Sequence, residues 1–129
     1  MTSPLFTPFP FRNGRVAANR IWLAPMTNLQ SHLDGSLSED ELKWLLRRAT
    51  GGFGVIETCA AHVAEDGQSW VGQLGFSSDA QVPGLRTLAQ GLKAHGAISI
   101  GQLFHGGVRA DPKITGLPAR PRRPVGSDA

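Results

Sequence analysis

Three short apolar runs in this 129-residue chain end in residues suited to holding a ligand rather than attacking it. The first, Ile21-Trp22-Leu23-Ala24, stops at Pro25-Met26-Thr27; the second, from Phe53, stops at Cys59-Ala60-Ala61; the third, from Ala97, reaches Gln102. These ends offer backbone N–H groups, one hydroxyl and one carboxamide, without a clustered acid, base or metal set. Such a surface suits a flat heteroaromatic ligand with alternating donors and acceptors, because a Gln side chain both donates and accepts. An isoalloxazine ring, whose pyrimidine edge presents C=O, N–H and C=O, fits that description.

The more reactive residue types make weaker cases. Cys59 is the single cysteine, so no intramolecular disulfide forms. As a nucleophile it needs an adjacent base and a lowered pKa. His62, three residues on, is expected on a loop, and the thiol reads as buried and inert. His105 follows the third run and reads as ordering its own Gly-rich loop; His32 and His95 read as surface residues. The four histidines share no metal-ligand spacing and no H-E-x-x-H occurs, so no metal site is expected. There is no G-x-G-x-x-G after the first run and no G-x-x-x-x-G-K-[ST], which removes most support for dinucleotide-binding and P-loop readings.

The elements that must position these ends alternate along the chain. Residues 4–19 carry Phe6, Phe9 and Phe11, then Asn13-Gly14 between apolar flanks, the type I′ signal of a small hairpin. The first main strand is expected over 21–25. Ser38-Glu39-Asp40-Glu41 reads as a capping box with Leu37 and Leu42 at the staple positions. Leu42, Leu45, Leu46 and Ala49 then recur at helical spacing, Arg47 and Arg48 suit the C-terminal end, and Gly51-Gly52 can close it. A second strand is expected over 53–60, and a long glycine-bearing loop over 61–76, where lids and ligand walls tend to lie. Ser78-Asp79-Ala80-Gln81 opens another helix, with Leu85, Leu88, Ala89 and Leu92 on one face, and a third strand follows over 97–103. Trp22 and Trp44 are expected between the first strand and first helix, and Trp70 is the tryptophan best placed to touch a ligand or partner.

Hairpin, β, α, β, α, β implies parallel pairing with helical crossovers, an α/β class. The length allows one ordinary domain and not two. The net charge of +3 lies wholly in the last 24 residues: residues 1–105 hold eight Lys/Arg and eight Asp/Glu, while the remainder holds Arg109, Lys113, Arg120, Arg122 and Arg123 against Asp111 and Asp128. That stretch, 106–129, is rich in Pro and lacks an aromatic residue for base stacking, so it reads as a solvated extended loop and not a nucleic-acid contact. No run has the ~20 apolar residues of a membrane span, the N-terminus lacks a signal-peptide pattern, and cytoplasmic residence is the default.

Four segments resemble the old yellow enzyme family, the NADH:flavin oxidoreductases: Asn19-Arg20-Ile21 leading to Ala24-Pro25-Met26-Thr27; Arg47-Arg48-Ala49-Thr50-Gly51-Gly52-Phe53-Gly54-Val55-Ile56; Ser78-Asp79-Ala80-Gln81-Val82-Pro83-Gly84; and Gly101-Gln102-Leu103-Phe104-His105-Gly106-Gly107. Each alone is weak, but four in the family's order are specific, and they cover about residues 5–110. The resemblance implies a TIM (β/α)8 barrel binding FMN, of which residues 1–129 are the N-terminal portion: the hairpin at 4–19, about three strands and two helices over 20–105, and the basic Pro-rich tail at 106–129. It implies that Pro25, Met26, Thr27, Ala60 and Gln102 are cofactor-binding, with the Thr27 hydroxyl near the flavin C4 carbonyl and Gln102 on the pyrimidine part, and that the hairpin caps the barrel bottom. The implied reaction of the intact protein is NAD(P)H-dependent reduction of the C=C bond of an enone or enoate.

Two departures concern the site: the acid of the second strand is Glu57, with Cys59 where the family usually has it, and Leu29 stands where some members have a tyrosine. A full barrel needs about 250 residues, so by the resemblance the substrate-carbonyl pair, the proton donor and the phosphate loops lie beyond this chain, and no catalytic residue is expected within it. The alternatives are a non-catalytic half-barrel that works with a complementary chain and a basic-tailed binding module acting through 106–129; a homo-oligomer is left open.

Overall fold

The computed structural model describes residues 3–119. Its centre is a parallel sheet in the order β3 (Trp22–Leu23), β4 (Val55–His62), β5 (Ile98–Phe104), preceded by an antiparallel pair, β1 (Phe9–Pro10) and β2 (Val16–Ala17). Two helices, α1 (Glu39–Thr50) and α2 (Val82–Ala94), connect the parallel strands in turn. They cover one face of the sheet: Leu23 and Ile56 from the strands, with Ala97 just before β5, pack with Leu45 and Ala49 of α1 and Leu88 and Leu92 of α2. Full burial of a Leu or Ile side chain is worth about 1.5–3 kcal/mol each, so this cluster fixes the helices on the sheet and thereby the direction in which the strand ends point.

The hairpin forms, but not with the two-residue turn its Asn-Gly pair suggests. Type I′ requires positive φ at both central residues, and the sole non-Gly residue with positive φ among those described is Leu29. Instead Gly14 N–H donates to the Phe11 carbonyl at 3.0 Å, Phe11 N–H donates to Arg15 at 2.8 Å, and Gly14 alone takes φ 82°. This is the three-residue loop in which a tight turn is closed by a left-handed glycine. The hairpin sits at the N-terminal end of the sheet, where Phe9, Phe11 and Ala17 line a cavity of about 220 Å³ with Trp22 and Val55. Trp22 is therefore on the face opposite Leu23 and is 48% exposed, not sandwiched against α1. Strand alternation sets this: if Leu23 enters the helix-side core, Trp22 cannot. Trp44 does join that core from its edge, with the Arg48 guanidinium 3.7 Å from its ring centre.

Asn19 ties the approach to β3 onto β4. Its Oδ1 accepts from Ile21 N (3.0 Å) and Gly54 N (3.1 Å), and its Nδ2 donates to the Gly52 carbonyl (2.7 Å). A side chain at Gly54 would come within 2.6 Å of the Asn19 carbonyl oxygen, so this close approach needs glycine.

Ser38 caps α1, its hydroxyl accepting from Glu41 N–H at 3.1 Å. The reciprocal half of the expected box is replaced, because the Glu41 carboxylate turns into the protein (below). The box is complete before α2, between Ser78 and Gln81. On α2, Leu88 and Leu92 are buried, whereas Ala89 is exposed, beside an open groove with Phe76, Ser99 and Gly101.

The segment after β4 is not an open lid. β4 continues to His62, which is a buried strand residue, and the chain folds back so that His62 N–H donates to the Leu74 carbonyl (3.0 Å) and Phe76 N–H to the His62 carbonyl (2.8 Å). Leu74 and Gln73 are fully buried as a result. Trp70 is half-buried against Phe104, ring centres 5.2 Å apart. The first part of the basic stretch is also not extended: it holds a 3₁₀ turn at Gly107–Arg109 and one helical turn, Pro112–Thr115, capped by Asp111. Arg120, Arg122 and Arg123 lie outside the described residues.

Candidate functional site

The carboxyl ends of β3, β4 and β5 form one edge, at the opposite end of the sheet from the hairpin. In open parallel sheets that edge is where ligands bind. Pro25, Met26 and Thr27 follow β3 after Ala24; Pro25 is half-buried, while Met26 and Thr27 are exposed. Ala60 and Gln102 face each other as register partners on β4 and β5.

That pairing depends on a bulge. Glu57 pairs with Ile100 and Ala60 with Gln102, so β4 spends three steps where β5 spends two. The extra residue would leave ladder groups unpaired. Thr58 repairs the gap: its buried hydroxyl accepts from Gln102 N–H (3.2 Å) and donates to the Cys59 carbonyl (2.9 Å). The bulge also re-aims the strand, so that Cys59 and Ala61 pack with Leu74 against Leu37 and Leu85. Gln73, fully buried, donates to the Ala60 carbonyl at 3.0 Å and accepts from Ser69 N–H at 2.9 Å.

Among the described residues, neither the Gln102 carboxamide nor the Thr27 hydroxyl is engaged in a hydrogen bond. Ala60 offers a small side chain, its carbonyl already being taken. One donor-acceptor amide, one hydroxyl and the small side chain of Ala60 suit the edge of a planar heterocycle such as isoalloxazine. Nothing in this set supplies an acid, a base or a nucleophile. Glu57 is half-buried one residue before the bulge.

Behind the edge lies a polar cluster that the sequence reading missed. Glu41 is fully buried and accepts from Asn28 Nδ2 (3.1 Å), from the Ser31 hydroxyl, and from Cys59 Sγ (3.0 Å). Burial, and then the Glu41 carboxylate beside it, push the Cys59 thiol up to about 12. It is protonated at neutral pH, which excludes the nucleophile role. The available signal was helical phase: Glu41 stands on the same stripe as Leu45 and Ala49, an acid where the pattern calls for an apolar residue.

The histidines divide as follows. His105 Nδ1 accepts from Gly107 N–H at 2.9 Å, ordering its own loop as expected, while Nε2 lies 3.3 Å from Asp66. His32 and His95 are exposed. His62 is buried with its Nδ1 unpartnered among the described residues, and burial lowers its pKa against the pull of the Leu74 carbonyl and Glu65. It lines a cleft of about 310 Å³ with Asp34, Glu65 and Gln81, away from Pro25, Ala60 and Gln102. Among the described residues no group of three or more His, Cys, Asp or Glu could hold a metal ion, and no helix is long and apolar enough to cross a membrane.

Comparison with known proteins places this arrangement among relatives. The model of the NADH:flavin oxidoreductase / NADH oxidase family matches residues 4–123. A probable NADH-dependent flavin oxidoreductase of Bacillus subtilis, YqiG, is 40% identical over 111 residues, covering 86% of this chain and 30% of the relative. The NADH:fumarate oxidoreductase of Klebsiella pneumoniae is 31% identical over 125 residues, covering 97% of this chain and 13% of the relative. Among solved structures, the old yellow enzyme homologue from Zymomonas mobilis superposes with a TM-score of 0.80 at 30% identity, over 88% of this chain and 31% of that one. A 2-naphthoyl-CoA reductase bound to 2-naphthoyl-CoA gives 0.83 at 30% identity, over 91% and 18%. The chain thus spans less than a third of the length of these relatives.

Proposed function

Because this chain belongs to the NADH:flavin oxidoreductase / NADH oxidase family, we propose that it contributes the first three strands and first two helices of an FMN-binding (β/α)8 barrel. In this reading Pro25, Met26, Thr27, Ala60 and Gln102 line one edge of the flavin ring. The hairpin closes the far end of the barrel. The intact protein reduces the C=C bond of an enone or enoate at the expense of NAD(P)H.

The observation that carries the reading is the pairing of Ala60 with Gln102 beyond a bulge, at the same end of the sheet as Pro25-Met26-Thr27. It supports the reading because an unengaged carboxamide and an unengaged hydroxyl lie at the carboxyl ends of the strands with no reactive group among them. When bound, the flavin supplies the hydride chemistry. The residues here bind and orient: Gln102 donates to and accepts from the pyrimidine edge, Thr27 donates a hydrogen bond that draws electron density, and Ala60 lets the ring approach the sheet. The described strand-end residues have no cationic group for a phosphate, so that anchor comes from elsewhere in the barrel.

A complementing chain is the second reading, favoured by the exposed apolar surface on both edge strands: Leu103 of β5 is 70% exposed and Trp22 of β3 48%. Flavin retention tests the two together. The full chain is purified with FMN, alone and after mixing with the part of the Bacillus relative that follows its matched segment. A flavin band on the mixed complex, with NAD(P)H consumed when an enone is added, is the expected result. A complex that assembles yet stays colourless overturns the flavin assignment. A stoichiometric band from the chain alone overturns the need for an outside phosphate anchor.

A further inference from the structure

We propose that Glu41 is a positioning residue, holding the turn that carries Met26 and Thr27 in fixed register with the Cys59-Ala60 end of β4. The role assigned to that turn rests on the flavin reading above. One carboxylate joins the two segments: Asn28, next to Thr27, and Ser31 donate to it from the β3–α1 loop, and Cys59, next to Ala60, donates to it from β4. Glu41 itself is held by α1, its N–H bound to the Ser38 cap.

The energetics argue for more than packing. A fully buried carboxylate with only neutral donors around it is costly to desolvate. Leu at this position would continue the stripe of Leu45 and Ala49, and replacing a whole buried polar cluster by well-packed apolar groups is often neutral or stabilising, whereas removing the carboxylate alone leaves Asn28, Ser31 and Cys59 without their acceptor. An apolar cluster would serve packing as well, so what singles out the acid is the three donors it draws together from two segments.

The loop it holds is also unusual in its backbone. Leu29 has φ 55°, a left-handed conformation disfavoured for a branched residue. Such a residue persists where the surroundings over-determine it. Asn28 Oδ1 accepts from Gln30 N–H (3.2 Å), Ser31 N–H donates to the Gly72 carbonyl (3.1 Å), and Gly72 lies so close that a side chain there would come within 2.5 Å of the Leu29 oxygen. Removing the carboxylate takes away the anchor of both Asn28 and Ser31 and lets this turn relax.

The test is Glu41→Leu in the full chain, read by amide hydrogen exchange and by urea denaturation without flavin. The expected result is exchange at Gln30 and Ser31 at least about tenfold faster, the loss of hydrogen bonds to a charged group, over and above the smaller rise at Leu45 and Ile56 that follows the lowered urea midpoint. Glu41→Gln keeps an acceptor for Asn28 and Cys59, and the Ser31 hydroxyl can reverse to accept, so it restores most of the protection. The Cys59 S–H stretch reports the third bond: it shifts to higher frequency in Glu41→Leu. If Glu41→Leu does not fold, Ser31→Ala, which removes a bond to Glu41 and none to the Gln30 amide, carries the exchange test by itself. Unchanged exchange at both amides, or a uniform rise across α1 and β4, overturns the proposal. Lumiflavin titration of the same variants tests the flavin reading separately: no binding to wild type counts against that reading and leaves the exchange result to decide the role of Glu41.

Discussion

Thr58→Val isolates the device that sets Ala60 opposite Gln102. The substitution keeps shape and removes one hydroxyl, which now accepts from Gln102 N–H at 3.2 Å and donates to the Cys59 carbonyl at 2.9 Å. Each neutral bond contributes about 1 kcal/mol net, and a buried partner left unsatisfied raises the loss to about 1–3 kcal/mol. Two bonds give about 2–4 kcal/mol. Against this, the added methyl, buried at a residue only 4% exposed, gains about 0.8 kcal/mol. The hydrogen bonds win, leaving a net loss of about 1–3 kcal/mol. Urea denaturation measures it as a lower midpoint at unchanged slope, and exchange at the Gln102 amide accelerates more than at Ile56. Thr58→Ser keeps the hydroxyl and is expected to lose only about 1 kcal/mol, for the missing methyl. A Thr58→Val midpoint equal to wild type would falsify the claim that this hydroxyl repairs the bulge.

Asn19→Ala removes three hydrogen bonds at a half-buried site and is expected to cost about 1.5–3 kcal/mol in urea denaturation, with Gly54→Ala at least as damaging because the new methyl meets backbone. The Cys59 thiol stays unreactive toward iodoacetamide in the native chain well above pH 9, while the unfolded chain reacts at its ordinary pKa. By linkage, a thiol raised from 9.0 to about 12 on folding favours the folded state fully below pH 9, and that contribution is lost as pH rises from 9 toward 12; Cys59→Ala should flatten the alkaline fall in stability. His62 has the opposite sense: its folded pKa lies below the ordinary 6.5, so its contribution is present above pH 6.5 and is lost as pH falls through the folded value. His62→Gln, followed by urea midpoints from pH 7.5 to 5, should reduce that acid loss.

Legibility in the sequence followed locality. Helix α1 was readable from Ser38 and the Leu42, Leu45, Ala49 spacing, and α2 from Ser78 and Gln81, because caps and periodicity are short-range signals. Asn13-Gly14 announced a hairpin but not its loop length, which is settled by cross-strand pairing of Phe9 with Ala17 and Pro10 with Val16. Long-range features stayed hidden. Residues 72–75 return to pair with His62, and no local residue pattern marks that return. The bulge at Thr58-Cys59 involves residues that also suit a regular strand. Glu41 was concealed by its own position, since an acid three places after a Ser cap ordinarily turns back to the cap. Here donors from Asn28, Ser31 and Cys59, distant in sequence, outcompete it.

The claim that the β3, β4 and β5 carboxyl edge receives the flavin ring is tested most directly by titrating the full chain with lumiflavin, which carries the ring without the phosphate, and following amide shifts by NMR. The account predicts shifts gathered at Met26, Thr27, Ala60 and Gln102, reduced by Gln102→Ala, with the hairpin residues Phe11 and Val16 unmoved. Shifts centred on the hairpin or on the cleft around His62, with the strand ends silent, would contradict it.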